Sequence, residues 1–169
     1  TGLMDSPLFS GGIMAAYSVI SRCIIAALKD AGVDSDYSRG ASVGDRSEAC
    51  FNSPSRYEVL IHGRKLVGSA QRRLKRAFIQ HGSILMDIDE ELNQRVFGPG
   101  VSSRMAGVTE FSAATRAELT GFLADRFAEG LAAQFSLSGL TEDEAKARDA
   151  LAASSIVVPA RGHEKAAAR

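Results

Sequence analysis

The chain has 169 residues, 45% of them hydrophobic and 24% charged, with a formal net charge of zero. That length suits one domain with a real core, and the neutral balance gives the whole molecule no electrostatic case for binding nucleic acid. Two cysteines, Cys23 and Cys50, argue against a disulfide scaffold. No run approaches the roughly 18 apolar residues of a membrane span, and the N-terminus lacks a basic region followed by an apolar core. A cytoplasmic protein without a membrane partner is expected. The chain begins with Thr1 and runs at once into Asp5-Ser6-Pro7, which suggests a processed or truncated piece of something longer.

Residues 1–11 read as a loop, punctuated by Pro7 and Gly11-Gly12. Ile13, Tyr17, Ile20, Ile24 and Leu28 recur at helical spacing, which predicts a helix from Ile13 to Ala31 that Gly32 stops. Cys23 beside that stripe reads as a buried thiol behaving as a small hydrophobe. Residues 32–49 are rich in Gly, Ser and Asp and read as a long loop. A hairpin follows: a strand from Tyr57 to Ile61, a turn at His62-Gly63, and a return strand from Lys65 to Gln71. A third strand is expected from Arg76 to Asp87, with Gly82 marking a bulge or a close backbone approach.

Ile88 to Phe97 predicts a short helix that Gly98-Pro99-Gly100 ends, and Val101 to Phe111 reads as irregular or a short strand. Ser112 is the expected N-cap of a long helix to Phe135, with Leu119, Phe122, Leu123, Phe127 and Leu131 on one face. Thr141 to Glu144 is a capping box for a last helix to Ala153. The order predicts an α+β fold, helices packed on a mostly antiparallel sheet. Residues 1–153 are read as one domain and residues 154–169 as a flexible tail.

The residues that bear chemistry gather between Cys50 and Leu85. A thiol becomes a nucleophile as thiolate, and a nearby cation favours that form. Lys65, fifteen residues beyond Cys50 and just past a tight turn, is a candidate cation. Its ammonium could also stabilise charge developing on an acyl carbonyl. The alternatives are a structural thiol and an exposed hairpin lysine. Gly68, Ser69 and Ala70 leave room for a ligand against a strand, or permit close packing. His81 beside Gly82 reads as a core histidine or as a site residue. No His or Cys set has zinc-ligand spacing, and no P-loop or dinucleotide fingerprint occurs.

Between Arg56 and Arg76 the local charge is +6, in a chain whose total is zero. Arg72, Arg73, Lys75 and Arg76 form its densest part. They read either as a solvated, aggregation-resistant strand edge or as a docking surface for an acidic partner. There is no interleaved aromatic platform for nucleic acid.

Ala49-Cys50-Phe51, Ser53-Pro54-Ser55, Gly63-Arg64-Lys65, Gly68-Ser69-Ala70-Gln71 and Gln80-His81-Gly82-Ser83-Ile84-Leu85 stand together in order and spacing. This stretch resembles the lipoate–protein ligase and octanoyltransferase family, which shares a class II synthetase-like catalytic fold with biotin–protein ligases. The resemblance implies acyl transfer to a lysine of a lipoyl domain or of the glycine-cleavage H protein. In that reading Lys65 contacts the acyl carbonyl, Gly68, Ser69 and Ala70 line the acyl tunnel, and His81 and Gly82 form its floor. Cys50 in Ala-Cys-Phe resembles the branch that takes octanoyl from acyl carrier protein as a thioester and needs no cofactor. The alternative branch is an ATP- and Mg-dependent ligase with Cys50 incidental; a third reading is a non-catalytic module that holds an acidic carrier or lipoyl domain. The family also carries an arginine- and glycine-rich segment before the first helix matched here. Its absence from this chain makes an incomplete catalytic domain the expectation.

Overall fold

The hairpin expected around His62-Gly63 lies inside a five-stranded antiparallel sheet. The computed structural model describes residues 1–38 and 58–154. In chain order the strands are β1 (Gly2–Leu3), β2 (Asp36–Tyr37), β3 (Val59–Ile61), β4 (Arg64–Arg73) and β5 (Ala77–Ile84), and the helices are α1 (Gly12–Asp30), α2 (Glu90–Phe97), α3 (Arg116–Gly130) and α4 (Glu142–Ser154). The spatial order of the sheet is β1-β5-β4-β3-β2, and every neighbouring pair is antiparallel. The expected α+β layout is therefore the observed one, with two short strands added. Both are two residues long, too short for alternation to reveal, and pairing alone makes them strands: Gly2 with Phe78 and Asp36 with Leu60.

The turn between β3 and β4 has positive φ at both of its residues, 49° at His62 and 75° at Gly63. That is the sign pattern of a type I′ turn, whose twist matches the twist of the flanking strands. Gly63 adopts it freely, whereas His62 is held there by tertiary contacts described below. Gly82 is the close-approach case and not a bulge. The β4–β5 register runs through it without a break, Ser69 opposite Gly82 and Ala70 opposite His81. A Cβ at position 82 would stand 2.6 Å from the Gly68 carbonyl oxygen. The irregularity in the sheet lies instead between β3 and β4, at Val59/Leu60.

The chain divides into two units, Thr1–Phe135 and Ser136–Arg169. In the first, the core is built from Leu28, Ala31 and Val33 at the end of α1, Val59 and Ile61 of β3, Leu66 and Val67 of β4, Ala106 and Val108, and Leu119 of α3. In the second, α4 is capped as expected: Glu144 accepts from the Thr141 N–H at 2.8 Å, and the Glu144 N–H donates back to Thr141 Oγ1 at 3.3 Å.

Two helix expectations are corrected. Ser112 does not cap α3. The Thr-x-x-Glu box at Thr115–Glu118 satisfies two orphan N–H groups reciprocally, and Ser112 has no acid three residues on. The Ser112 hydroxyl instead donates to the Ala31 carbonyl and accepts from the Ala114 N–H, tying the end of α1 to the approach to α3. Helix α3 then stops at Gly130, short of Phe135.

The apolar stripe of α1 is also shifted. Ile13 is half exposed, and the buried positions are Ala16, Ser21, Cys23, Ala27 and Leu28. Small residues face α3 because the two helices approach closely there: a Cβ on Gly130 would collide with Cys23 Sγ. Cys23 is thus the buried thiol expected, and burial pushes its pKa up. An Arg126–Asp30 ion pair joins the same two helices and lowers the Asp30 carboxyl. One composition argument fails as well. With mean hydropathy 1.4 over an 18-residue window, α1 is long and apolar enough by length and composition to cross a membrane.

Because Sγ occupies the space a Gly130 Cβ would take, Gly130→Ala is expected to destabilise the chain by about 1–2 kcal/mol. In a Cys23→Ala background the same change should be neutral or stabilising, since alanine is the better helix former. Denaturant unfolding of the four variants checks this; equal costs in both backgrounds would contradict the packing described.

Candidate functional site

Lys65 is the second residue of β4 and is only 3% exposed, in a part of the strand where Leu66 and Val67 are buried as well. Three consecutive buried residues are more than strand alternation alone allows, and the β3–β4 irregularity lies beside them. The Lys65 ammonium lies 2.8 Å from Oε1 of Glu58, itself 7% exposed. A charge in such a setting requires a partner, so Lys65 is not the exposed hairpin lysine that the sequence also allowed. The backbone around the pair is held from several sides. The Lys65 carbonyl accepts from the Ala106 N–H at 3.0 Å, Lys65 forms a parallel bridge with Met105, and the Glu58 carbonyl accepts from the Ser38 N–H at 2.7 Å.

The hairpin turn is latched to residues 105–111, the stretch read from sequence as irregular. Arg64 donates to the Met105 carbonyl at 3.2 Å and pairs with Glu110 at 2.7 Å. Glu110 also accepts the Gly107 N–H at 2.8 Å. The Gly107 hydrogen bond and the Arg64 guanidinium together hold the Glu110 carboxyl below the usual carboxylate range. Phe111 lies under both the Arg64 guanidinium and the His62 ring, at 5.5 and 5.7 Å. These contacts accompany the positive φ at His62. Two more strands of this stitching run from the Val108 N–H to the Leu85 carbonyl and from the Thr109 N–H to the Met86 carbonyl, both 2.9 Å.

From Val67 onward the pleat divides the remaining candidates between the two faces of the sheet. Ser69, Gln71 and Arg73 share a face with Phe78, Gln80 and Gly82. On it Gln71 donates to Gln80 at 2.9 Å, Arg73 donates to Gln71 at 2.9 Å, and the Arg73 guanidinium lies 5.8 Å from the Phe78 ring centre. Tyr17 of α1 reaches this region: burial raises its pKa, against a hydrogen bond with the Gln71 backbone, and the Glu58 charge raises it further. Gly68, Ala70, Arg72, Ile79 and His81 belong to the other face. There Ala70, Arg72, Ile79 and His81 are exposed, so the core-histidine reading of His81 is wrong. Of Gly68, Ser69 and Ala70, the pleat turns the Ser69 side chain to one face and the Ala70 methyl to the other, while Gly68 has no side chain. Of the basic cluster, Arg72, Lys75 and Arg76 are exposed at the β4–β5 turn, while Arg73 turns toward Phe78.

Cys50, with Ser53, Pro54 and Arg56, lies outside the described residues. Among the described residues, no group of His, Cys, Asp and Glu is arranged to hold a metal ion. Glu58 is the residue that sequence reasoning missed: as the one acid between Arg56 and Arg76 it enters only through the net charge of +6. The available signal was its place seven residues before Lys65, across a two-residue turn that folds the two segments together.

Comparison with known proteins adds the following. The family described as Lipoyl protein ligase A/B catalytic domain matches residues 5–136. An octanoyltransferase LipM of Kyrpidia tusciae is 35% identical over 166 residues, covering 87% of this chain and 61% of the relative. An octanoyltransferase LipM of Bacillus subtilis is 37% identical over 94 residues, covering 52% and 34%. A crystal structure of lipoate-protein ligase A bound with ATP superposes with a TM-score of 0.71 at 23% identity, over 85% of this chain and 56% of that one. An archaeal bi-partite lipoate protein ligase, solved in a study that included its E2 lipoyl domain, from Thermoplasma acidophilum, gives 0.62 at 19%, over 83% and 54%. At these identities the structural likeness speaks for the fold. The chain spans about six-tenths or less of the length of these relatives.

The cost of separating the buried pair is testable by stability alone. Lys65→Met leaves the Glu58 carboxylate buried without this partner and is expected to cost about 3–5 kcal/mol. Lys65→Met with Glu58→Leu should recover most of that loss, and additive losses in a double-mutant cycle would show that the two groups do not depend on each other.

Proposed function

The chain belongs to the Lipoyl protein ligase A/B catalytic domain family, and on that premise we propose that it carries the reacting residues of a cysteine-dependent octanoyltransferase acting in protein lipoylation. The observation that supports this reading most is a lysine buried in apolar surroundings at the position where the family resemblance expects its functional lysine, fifteen residues after a cysteine. Relatives of 35% and 37% identity named octanoyltransferase favour this branch over the ligase.

In the proposed reaction, the Cys50 thiolate attacks the octanoyl thioester of acyl carrier protein. A carbon–sulfur bond forms to Cys50, and the carrier's thiol leaves. The amine of an acceptor lysine then attacks the new thioester, forms the amide and returns the thiol of Cys50, with the amine's proton passing to the departing sulfur. The acceptor is a lipoyl domain or the glycine-cleavage H protein. Lys65 favours the thiolate and hydrogen-bonds the carbonyl oxygen as negative charge develops there. Thioester exchange is close to isoenergetic and the conversion of a thioester to an amide is downhill, so neither step needs ATP. The exposed Arg72, Lys75 and Arg76 would receive an acidic carrier and steer it by charge.

The test is incubation with octanoyl-acyl carrier protein without ATP, read by intact mass. A hydroxylamine-labile octanoyl adduct is expected on the parent chain and not on Cys50→Ser. Lys65→Ala should slow its formation by about a hundredfold or more. Cys23, buried and with a raised pKa, should remain unmodified. An adduct that survives Cys50→Ser, or full activity in Lys65→Ala, would overturn the reading.

A further inference from the structure

The Glu58 carboxylate has no part in the acyl chemistry just described, yet it is buried against the one lysine that does. We propose that Glu58 is a positioning residue: it holds the Lys65 ammonium fixed in direction, so that the ammonium meets the acyl carbonyl as a preset donor.

Burial of an ion pair is a poor way to gain stability. The desolvation of both groups costs several kcal/mol, and apolar residues of similar size often serve as well. Position 65 lies in a core of Leu66, Val67, Ala106 and Val108, where an aliphatic side chain would fit the surroundings. A lysine there is the costly choice, and Glu58 is what makes it tolerable.

Direction matters as much as charge. A lysine side chain is rich in rotamers, and an ammonium that wanders cannot be preorganised toward a developing charge. Both ends of this pair start from fixed backbone: Lys65 through Ala106 and Met105, Glu58 through Ser38. The ammonium donates to Glu58 Oε1 at 2.8 Å, which fixes one of its N–H directions. The inference rests on the acyl-transfer reading for what Lys65 does, but its first test does not.

That first test is brief acetylation with an N-hydroxysuccinimide ester, read lysine by lysine by peptide mass spectrometry. In Glu58→Gln, labelling of Lys65 relative to the exposed Lys29 and Lys75 should rise by about tenfold or more, because the carboxylate that holds the Lys65 nitrogen at 2.8 Å is gone. Glu58→Asp keeps the charge and should stay near the parent. Loosening of the fold would also uncover the buried Lys65, so the ratio is read only where the denaturant midpoint and the circular dichroism spectrum show Glu58→Gln to be folded, and an unchanged ratio there overturns the proposal. If Glu58→Gln does not fold, the decision passes to Glu58→Asp, where a ratio as high as that of the denatured chain overturns it.

The second test is single-turnover thioester formation on Cys50. Glu58→Gln should lower the rate at saturating donor by about a hundredfold while leaving half-saturation nearly unchanged. A parent rate in that variant overturns the positioning role. A parent chain that forms no adduct overturns the acyl-transfer reading instead, and the labelling ratio then decides Glu58 on its own.

Discussion

A cation inside an apolar core must be neutralised where it stands, and much of the first unit can be understood from that requirement at Lys65. The carboxylate that answers it comes from Glu58, on the segment entering β3, so the β3–β4 hairpin must close tightly enough to bring the two within 2.8 Å. The two-residue turn with positive φ at both positions provides that closure. The turn is in turn held by Arg64, which reaches Met105 and Glu110, and by Phe111 beneath the His62 ring. The 105–111 segment has little regular structure, but it covers the end of the sheet and satisfies backbone groups of Lys65, Leu85 and Met86 that burial would otherwise leave unpaired.

A second constraint is close approach. Gly82 lies under the Gly68 carbonyl, Gly107 against the Met86 carbonyl, and Gly130 against Cys23. In each case the missing Cβ lets two backbones or a backbone and a side chain pack at a distance no other residue permits. At Gly82 the neighbour is backbone and cannot move aside, which makes this the least forgiving of the three. Next to it Ser69 and Gln71 present small and polar side chains toward the face that Tyr17 reaches.

The family resemblance and the geometry support one another at Lys65 and part company at the proposed tunnel. Motif order treated Gly68, Ser69, Ala70, His81 and Gly82 as one lining. The pleat sends Ser69 and Gly82 to one side and Ala70 and His81 to the other, the latter pair exposed. Members of a motif that are adjacent in sequence are not adjacent in space when they lie on a strand. The same rule separates Arg73, turned to Phe78, from its basic neighbours at the β4–β5 turn.

The sequence by itself determined the long helices, the central hairpin and the α+β class, and marked Lys65 as a candidate, because periodicity, turn chemistry and motif spacing are local signals. It also located the Thr141 cap, where the box motif is complete within four residues. Tertiary structure decided what local signals could not carry. Strands of two residues exist only through their partners. Ser112 was drawn from capping to the Ala31 carbonyl, 81 residues away. The burial of Lys65 depends on what covers the hairpin, residues 105 and 106 far along the chain, and a contact at that separation leaves no mark in local periodicity.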